Sequence, residues 1–251
     1  MTRSAHAARA DRTRRLLCQA LALVLAGGAR SGRAGDEGRY RSGPASPDGT
    51  GRFYMGREIA GVMDWQGAAW LERQEREREE RTDLLLRALA LHPGMVVADV
   101  GAGTGYLARR MAPLVDPQGL VLAVDVQPQM LRLLEEMARR EGLGNIRTVQ
   151  AQERSSGLAP ASIDLAVLVD VYHELAWPHE VMDSVVQALR PGGRVVLVEY
   201  RAEDARVPIK PLHRMSEAQV RREMATLALV HERTIGTLPW QHVLVFRRRG
   251  E

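Results

Sequence analysis

An α/β fold is the architecture this sequence predicts: a seven-stranded, mostly parallel sheet, doubly wound with helices on both faces. Three observations predict it. From Met95 onward, short apolar runs alternate with helical segments, the pattern of parallel strands buried on both faces. The first of those runs leads through an acid into a glycine-rich turn that opens a helix, a geometry suited to close backbone approach by a ligand. The last two runs flank Gly236-Thr-Leu-Pro239 and read as an antiparallel hairpin.

Composition bounds the function. With 251 residues, 45% apolar and 26% charged, the chain suits one ordinary soluble domain with a sizeable core. Its net charge of +4 is localised. Residues 1–50 hold nine Arg against four acids, a net of +5, so the other 201 residues carry 26 bases against 27 acids, a net of −1. A domain so close to neutrality lacks the phosphate-binding footprint of a DNA or RNA binder, and no nucleic-acid partner is expected. Cys18 is the only cysteine and lies near the N-terminus. A disulfide framework, a cysteine-ligated zinc and a thiol nucleophile are thereby excluded from the folded domain.

Residues 1–52 read as a leader followed by a flexible linker. Arg12-Thr-Arg-Arg15 precedes an uncharged stretch from Leu16 to Ala29, too short to span a bilayer but suited to the apolar centre of a secretory signal. Small residues at Gly27 and Ala29, or at Gly32 and Ala34, fit a cleavage site, and Thr13 to Leu17 loosely resembles a twin-arginine signal. A disordered extension and a mis-called start codon are the competing readings. An exported chain is periplasmic or secreted, otherwise cytoplasmic, and no membrane span is expected after leader removal. Residues 30–52, rich in Gly, Ser, Pro and charge, read as linker.

Residues 53–92 read as an N-terminal helical cap. Phe53 to Trp70 mixes apolar and aromatic residues, and Leu71 to Leu91 reads as one helix whose charged half, Glu72 to Arg81, forms a solvated face. Residues 93–251 form the main domain. Its strands are expected at Met95–Val100, Leu120–Val124, Ile146–Gln150, Ile163–Val169 and Arg194–Glu199, with the hairpin strands at Val230–Ile235 and His242–Arg247. Helices are expected at Tyr106–Met111, Pro128–Arg140 and Glu180–Leu189, and from a capping box at Ser216 to about Leu227.

The candidate cofactor site begins at Asp99-Val-Gly101-Ala102-Gly103-Thr104-Gly105. Dinucleotide enzymes use a similar loop, but their G-x-G-x-x-G spacing needs glycine at 106, where Tyr106 stands. Asp99, two residues before the first glycine, suits a cationic sulfonium and ammonium better than a pyrophosphate. Asp125, followed by Val126, ends the next strand twenty residues after Gly105, where an acid can accept from both ribose hydroxyls.

These segments together resemble class I S-adenosylmethionine-dependent methyltransferases. Val96 to Tyr106 is similar to their first motif, Val124-Asp125 to their second, and Ile163 to Leu168 to their fourth-strand motif. Leu189-Arg-Pro-Gly-Gly193 resembles their turn into the fifth strand. The resemblance covers roughly residues 80–200. It implies a Rossmann-like methyltransferase domain with a C-terminal antiparallel hairpin, and S-adenosyl-L-methionine as cofactor. The family usually has an Asp after the third strand to bond the adenine amino group. Here Gln152 or Glu153 must serve. The residues after the fourth strand commonly line the cofactor's methionyl end, which implies that role for Asp170 and Val171.

Methyl transfer is an in-line displacement, so a general base is needed only if the acceptor must lose a proton. His173, whose ordinary pKa lies near neutrality, is the first candidate for a base or an acceptor-orienting residue, with Tyr172 and Glu174 beside it as walling or polarising groups. Capping of the next helix is the structural alternative for His173 and Glu174. Glu199-Tyr200-Arg201 is a second acceptor-facing candidate, Lys210 to His213 a loop that can lie over the pocket, and Tyr54, Met55 and Arg57 can close over the cofactor or simply pack. No metal site is expected, because Asp170, His173 and Glu174 lack evident distant partners. The expected activity is methyl transfer to the oxygen, nitrogen or sulfur of a small molecule. An NAD-dependent oxidoreductase and a non-catalytic nucleoside-cofactor-binding protein are the rivals. Oligomeric state does not follow from the sequence.

Overall fold

Apolar, β-branched runs place side chains alternately on two faces, so runs without polar alternation need cover on both. The computed structural model, which describes residues 38–250, meets that demand with a seven-stranded sheet. The leader and its cleavage positions lie outside the described residues. The sheet strands are β4 (Val96–Val100), β5 (Leu120–Asp125), β6 (Ile146–Gln150), β7 (Ile163–Val169), β8 (Leu189–Tyr200), β9 (Leu229–Ile235) and β10 (Gln241–Arg248). Their spatial order is β6-β5-β4-β7-β8-β10-β9. The first five in that order are parallel, and β10 pairs antiparallel with both β8 and β9.

Alternation splits the core into two layers. Val97, Leu165, Val167, Val196, Val198, Val243 and Val245 face one side, against Leu85, Met111 and Leu134 of three helices, Thr82–Leu89, Ala108–Val115 and Pro128–Arg140. Ala98, Ala166, Leu168, Val195, Leu197, Leu244 and Phe246 face the other, against Met182 and Val185 of the Pro178–Ala188 helix and Val220 and Met224 of the Glu217–Met224 helix. Ser216 caps the last of these, its side chain accepting from the Gln219 N–H, as the sequence predicts.

The segment before Met95 departs from expectation. In place of linker and helix alone, β1 (Tyr40–Ser42), β2 (Gly49–Tyr54) and β3 (Arg57–Ala60) form a small three-stranded sheet. Met55 and Gly56 turn the β2–β3 hairpin with φ of 46° and 95°, and Glu58 accepts from the backbone of Ser46 and Gly51. These strands are short and polar, so no alternation marks them. The single helix expected over Leu71–Leu91 is broken into Ala68–Leu71, Arg76–Glu80 and Thr82–Leu89. The last break falls at Arg81, whose φ is 51° and whose guanidinium pairs with Asp83. The broken helix turns part of its charge inward: Arg76 and Glu80 are buried and paired at 2.8 Å.

Because Leu165 is fully buried at the centre of the first layer, Leu165→Ala should cost about 2–5 kcal/mol, read as a lowered urea midpoint with an unchanged slope.

Candidate active site

The chain runs β4-β5-β6 outward in one direction and β7-β8 outward in the other, so the order reverses between β4 and β7. At such a switch point the loops following adjacent strands diverge and leave a crevice at the carboxyl edge. A cavity of about 760 Å³ lies here, lined by residues at the ends of β4, β5 and β7. That volume falls within the range of small-molecule sites.

Asp99, near the end of β4, is followed by a turn in which Gly101, Gly103 and Gly105 all take positive φ. A Cβ at Gly101 would overlap the Val171 side chain, so this turn and the one after β7 approach each other only because the glycine has none. Asp170 itself has φ of 53°, a conformation Asp tolerates better than most residues, and it brings Val171 to that contact. Asp99, Gly101, Ala102 and Gly103 line the cavity, as do Asp170 and Val171.

The acids are buried and differently served. Asp125 accepts from the N–H of Gly103 at 2.9 Å and of Gln127 at 2.8 Å. Burial raises its pKa, opposed by those two bonds. Burial pushes the Asp99 carboxyl up to about 7, opposed by Arg76 and reinforced by Asp125. Asp170 is held well above the carboxylate range by burial, with Glu80 and Glu199 adding to it. Oδ2 of Asp99 and Oδ1 of Asp170 are buried without a hydrogen-bond partner. Two such oxygens on residues that line one cavity are costly unless a cation nearby offsets them.

After Asp170 a 3-10 turn, Tyr172–Glu174, carries the catalytic candidates. His173 lines the cavity and directs Nδ1 at Glu199 Oε2, 2.6 Å away, while Glu199 Oε1 accepts from the Tyr172 N–H. Burial alone would lower the His173 pKa, but Glu199 and Glu174 outweigh it and push it up to about 10. The ring therefore sits as an imidazolium between carboxylates, not as a group titrating near neutrality. Glu174 also lines the cavity and accepts from the Met63 N–H. Burial would raise its pKa, but His173 and His213 bring it to about 2.

Three expected site residues do not reach the cavity lining. Tyr172 is fully buried and donates its hydroxyl to Glu223 at 2.5 Å, on the side of the Glu217–Met224 helix, so it supports the turn from beneath. Thr104 donates to Glu72 at 2.5 Å. Gly105 sits against Leu134 and Met137, where a Cβ would clash. Its role is close packing of turn and helix. Val126, Gln152 and Glu153 do line the cavity, beside the ends of β5 and β6. Tyr54, Met55 and Arg57 pack instead of closing over it. Arg57 pairs with Glu223 at 2.8 Å and donates to the His173 carbonyl at 3.1 Å, bracing the turn.

The structure also adds residues. Arg76, read as part of a solvated face, lines the cavity and lies 4.0 Å over the Tyr106 ring. Its burial follows from the helix break, which has no periodic signal. His213 comes from the Pro211–His213 turn, beyond β8, and approaches Glu174 at 3.2 Å. It supplies the distant partner whose apparent lack argued against a metal site. Gln127 ties the N-terminal segment to the cavity edge, donating to the Met63 carbonyl and accepting from the Trp65 N–H.

The glycine cradle and the two orphaned carboxylate oxygens fit a cofactor that carries positive charge near a nucleoside. Comparisons with known proteins agree. The family described as a methyltransferase domain matches residues 97–193. Among curated proteins, the ubiquinone/menaquinone biosynthesis C-methyltransferase UbiE of Ectopseudomonas mendocina is 28% identical over 111 residues, 44% of this chain and 43% of that protein. UbiE of Klebsiella pneumoniae is 28% identical over 126 residues, 50% and 49% of the two chains. The chain thus spans about half the length of these relatives. Among solved structures, a SAM-dependent methyltransferase from Aquifex aeolicus aligns with a TM-score of 0.71 at 21% identity, covering 74% of this chain and all of that one. The [4+2]-cyclase SpnF aligns with a TM-score of 0.61 at 16% identity, covering 83% and 90%. With the strand order and the Asp99–Gly105 turn in agreement, residues 97–193 match a methyltransferase domain, and the fold is that of the S-adenosylmethionine-dependent methyltransferases it resembles.

Proposed function

We propose that the protein transfers a methyl group from S-adenosylmethionine to an oxygen, nitrogen or sulfur atom of a small molecule. One observation carries the reading: Asp99 and Asp170, which line the cavity beside the glycine turn, each have a buried carboxylate oxygen without a partner. A cationic ligand relieves the energetic cost of those oxygens, whereas a pyrophosphate adds like charge. Bound S-adenosylmethionine supplies an electrophilic methyl group on a sulfonium.

The chain's own residues divide along the sheet edge. Asp125, with one bond to each oxygen already made, keeps acceptor capacity for ribose hydroxyls. Gln152 and Glu153 border the adenine side, and the glycine turn lets backbone approach the ligand closely. Because β6 and β8 lie on opposite sides of β4, the nucleoside belongs to the β5–β6 side and the reacting end to the β7–β8 side. There His173, Glu174 and His213 form the polar wall against which the acceptor is held. Met63, Trp70 and Leu71 of the N-terminal segment also line the cavity, and limit water access.

A labelled-methyl screen against pooled metabolites tests the reading. Transfer should be detected by wild type. Asp99→Ala should weaken cofactor binding about 10- to 100-fold, the worth of a hydrogen bond to a charged group. His173→Ala should keep cofactor binding and lose turnover. Cofactor binding with no transfer to any pool would favour the non-catalytic rival, and label on carbon would correct the acceptor atom.

Cofactor affinity should also depend on pH. Asp99 is protonated below about 7, with Arg76 and Asp125 the charges that face it. A bound cation favours its carboxylate, so binding releases a proton and affinity rises with pH up to about 7, by at most about tenfold per unit. Calorimetric titration with S-adenosylmethionine from pH 5.5 to 8 reads the slope, and Asp99→Asn should flatten it. Affinity that falls with rising pH would contradict the assignment.

A further inference from the structure

We infer that His173, Glu174 and His213 form a binding site for a divalent transition-metal ion at the β7–β8 end of the cavity. Donor atoms from two separate segments converge on one centre. His173 Nε2 lies 3.2 Å from His213 Nδ1 and 3.7 Å from Glu174 Oε1, and that oxygen lies 3.2 Å from His213 Nδ1. A four-coordinate ion with bonds of roughly 2.0–2.1 Å holds its donors about 3.3–3.4 Å apart. The edges of the triangle bracket that separation. A hydrogen bond between the imidazoles accounts for only one edge, since a proton on His213 Nδ1 serves one partner at a time.

The surroundings complete the pattern. Glu199 is fully buried and holds Nδ1 of His173 at 2.6 Å, its other oxygen fixed by the Tyr172 N–H. Glu199 accepts from Nδ1–H, so metal binding displaces the Nε2 proton of the imidazolium and leaves that lone pair facing the centre, the usual arrangement behind a metal-bound imidazole. His213 is delivered by a pinned loop. The Met215 N–H donates to the Tyr200 carbonyl and the Ala202 N–H to the Met215 carbonyl, so the excursion after β8 returns to the strand's own end. All three ligands line the cavity.

Two imidazoles and one carboxylate suit zinc, iron(II), cobalt or nickel, whereas calcium and magnesium favour all-oxygen sets. Three protein ligands leave a coordination position open, as catalytic sites do. That position takes an oxygen, nitrogen or sulfur donor of the acceptor and fixes it against the reacting end. Only this last step rests on the methyl-transfer reading.

Untagged, chelator-stripped full-length protein titrated with Zn²⁺ tests the site, with retained metal counted by mass spectrometry after gel filtration. One equivalent per chain is expected. His213→Ala should lose stoichiometric binding while keeping its circular dichroism and urea midpoint, and Glu199→Gln should weaken zinc affinity about 10- to 100-fold. Wild type that retains no zinc, or His213→Ala that retains it as wild type does, would overturn the site. Neither outcome involves the cofactor, so a failure here is distinct from a failure of the methyl-transfer reading.

Discussion

Burial of carboxylates at the carboxyl edge of the sheet is the constraint on which the rest of the site depends. Glu80, Asp99, Asp125 and Glu199 are buried and Asp170 is half-buried beside them, and each needs a donor, a cation or a proton. The fold answers in three ways. Backbone N–H groups of Gly103 and Gln127 serve Asp125. Arg76 and Arg73 serve Glu80, and His173 serves Glu199. Asp99 and Asp170 are left with an oxygen each, and these mark where the ligand belongs.

The same constraint explains the construction of the N-terminal segment. The break at Arg81 costs a left-handed residue, offset by bringing Arg76 and Glu80 inward, where Tyr200 donates to Glu80 at 3.1 Å. Arg57 reaches from β3 to the carbonyl of His173 and to Glu223, so the short three-stranded sheet is coupled to the Tyr172–Glu174 turn. Residues far apart in sequence are joined through charge.

What the sequence made legible follows from which signals are local. Parallel strands announce themselves by apolar runs, and Pro128–Arg140, Ile146–Gln150 and Ile163–Val169 fall where the pattern places them. The glycine turn and its acids are local as well. The β1–β3 sheet is short and polar, and its hairpin turn uses Met55-Gly56, so neither alternation nor turn composition betrays it. Tyr172 and His173 are neighbours, yet one points beneath the turn and the other into the cavity, a distinction set by backbone direction. His213 is bound to Glu174 only through tertiary folding. Fold likeness adds no more than architecture: the [4+2]-cyclase SpnF shares it.

The central claim is that this cavity selects a cationic nucleoside cofactor over a pyrophosphate one. Calorimetric titration of the wild-type protein with S-adenosylmethionine and with NAD, under identical conditions, tests it most directly. The account predicts stoichiometric binding of S-adenosylmethionine and none of NAD; tight NAD binding with no response to S-adenosylmethionine would contradict it.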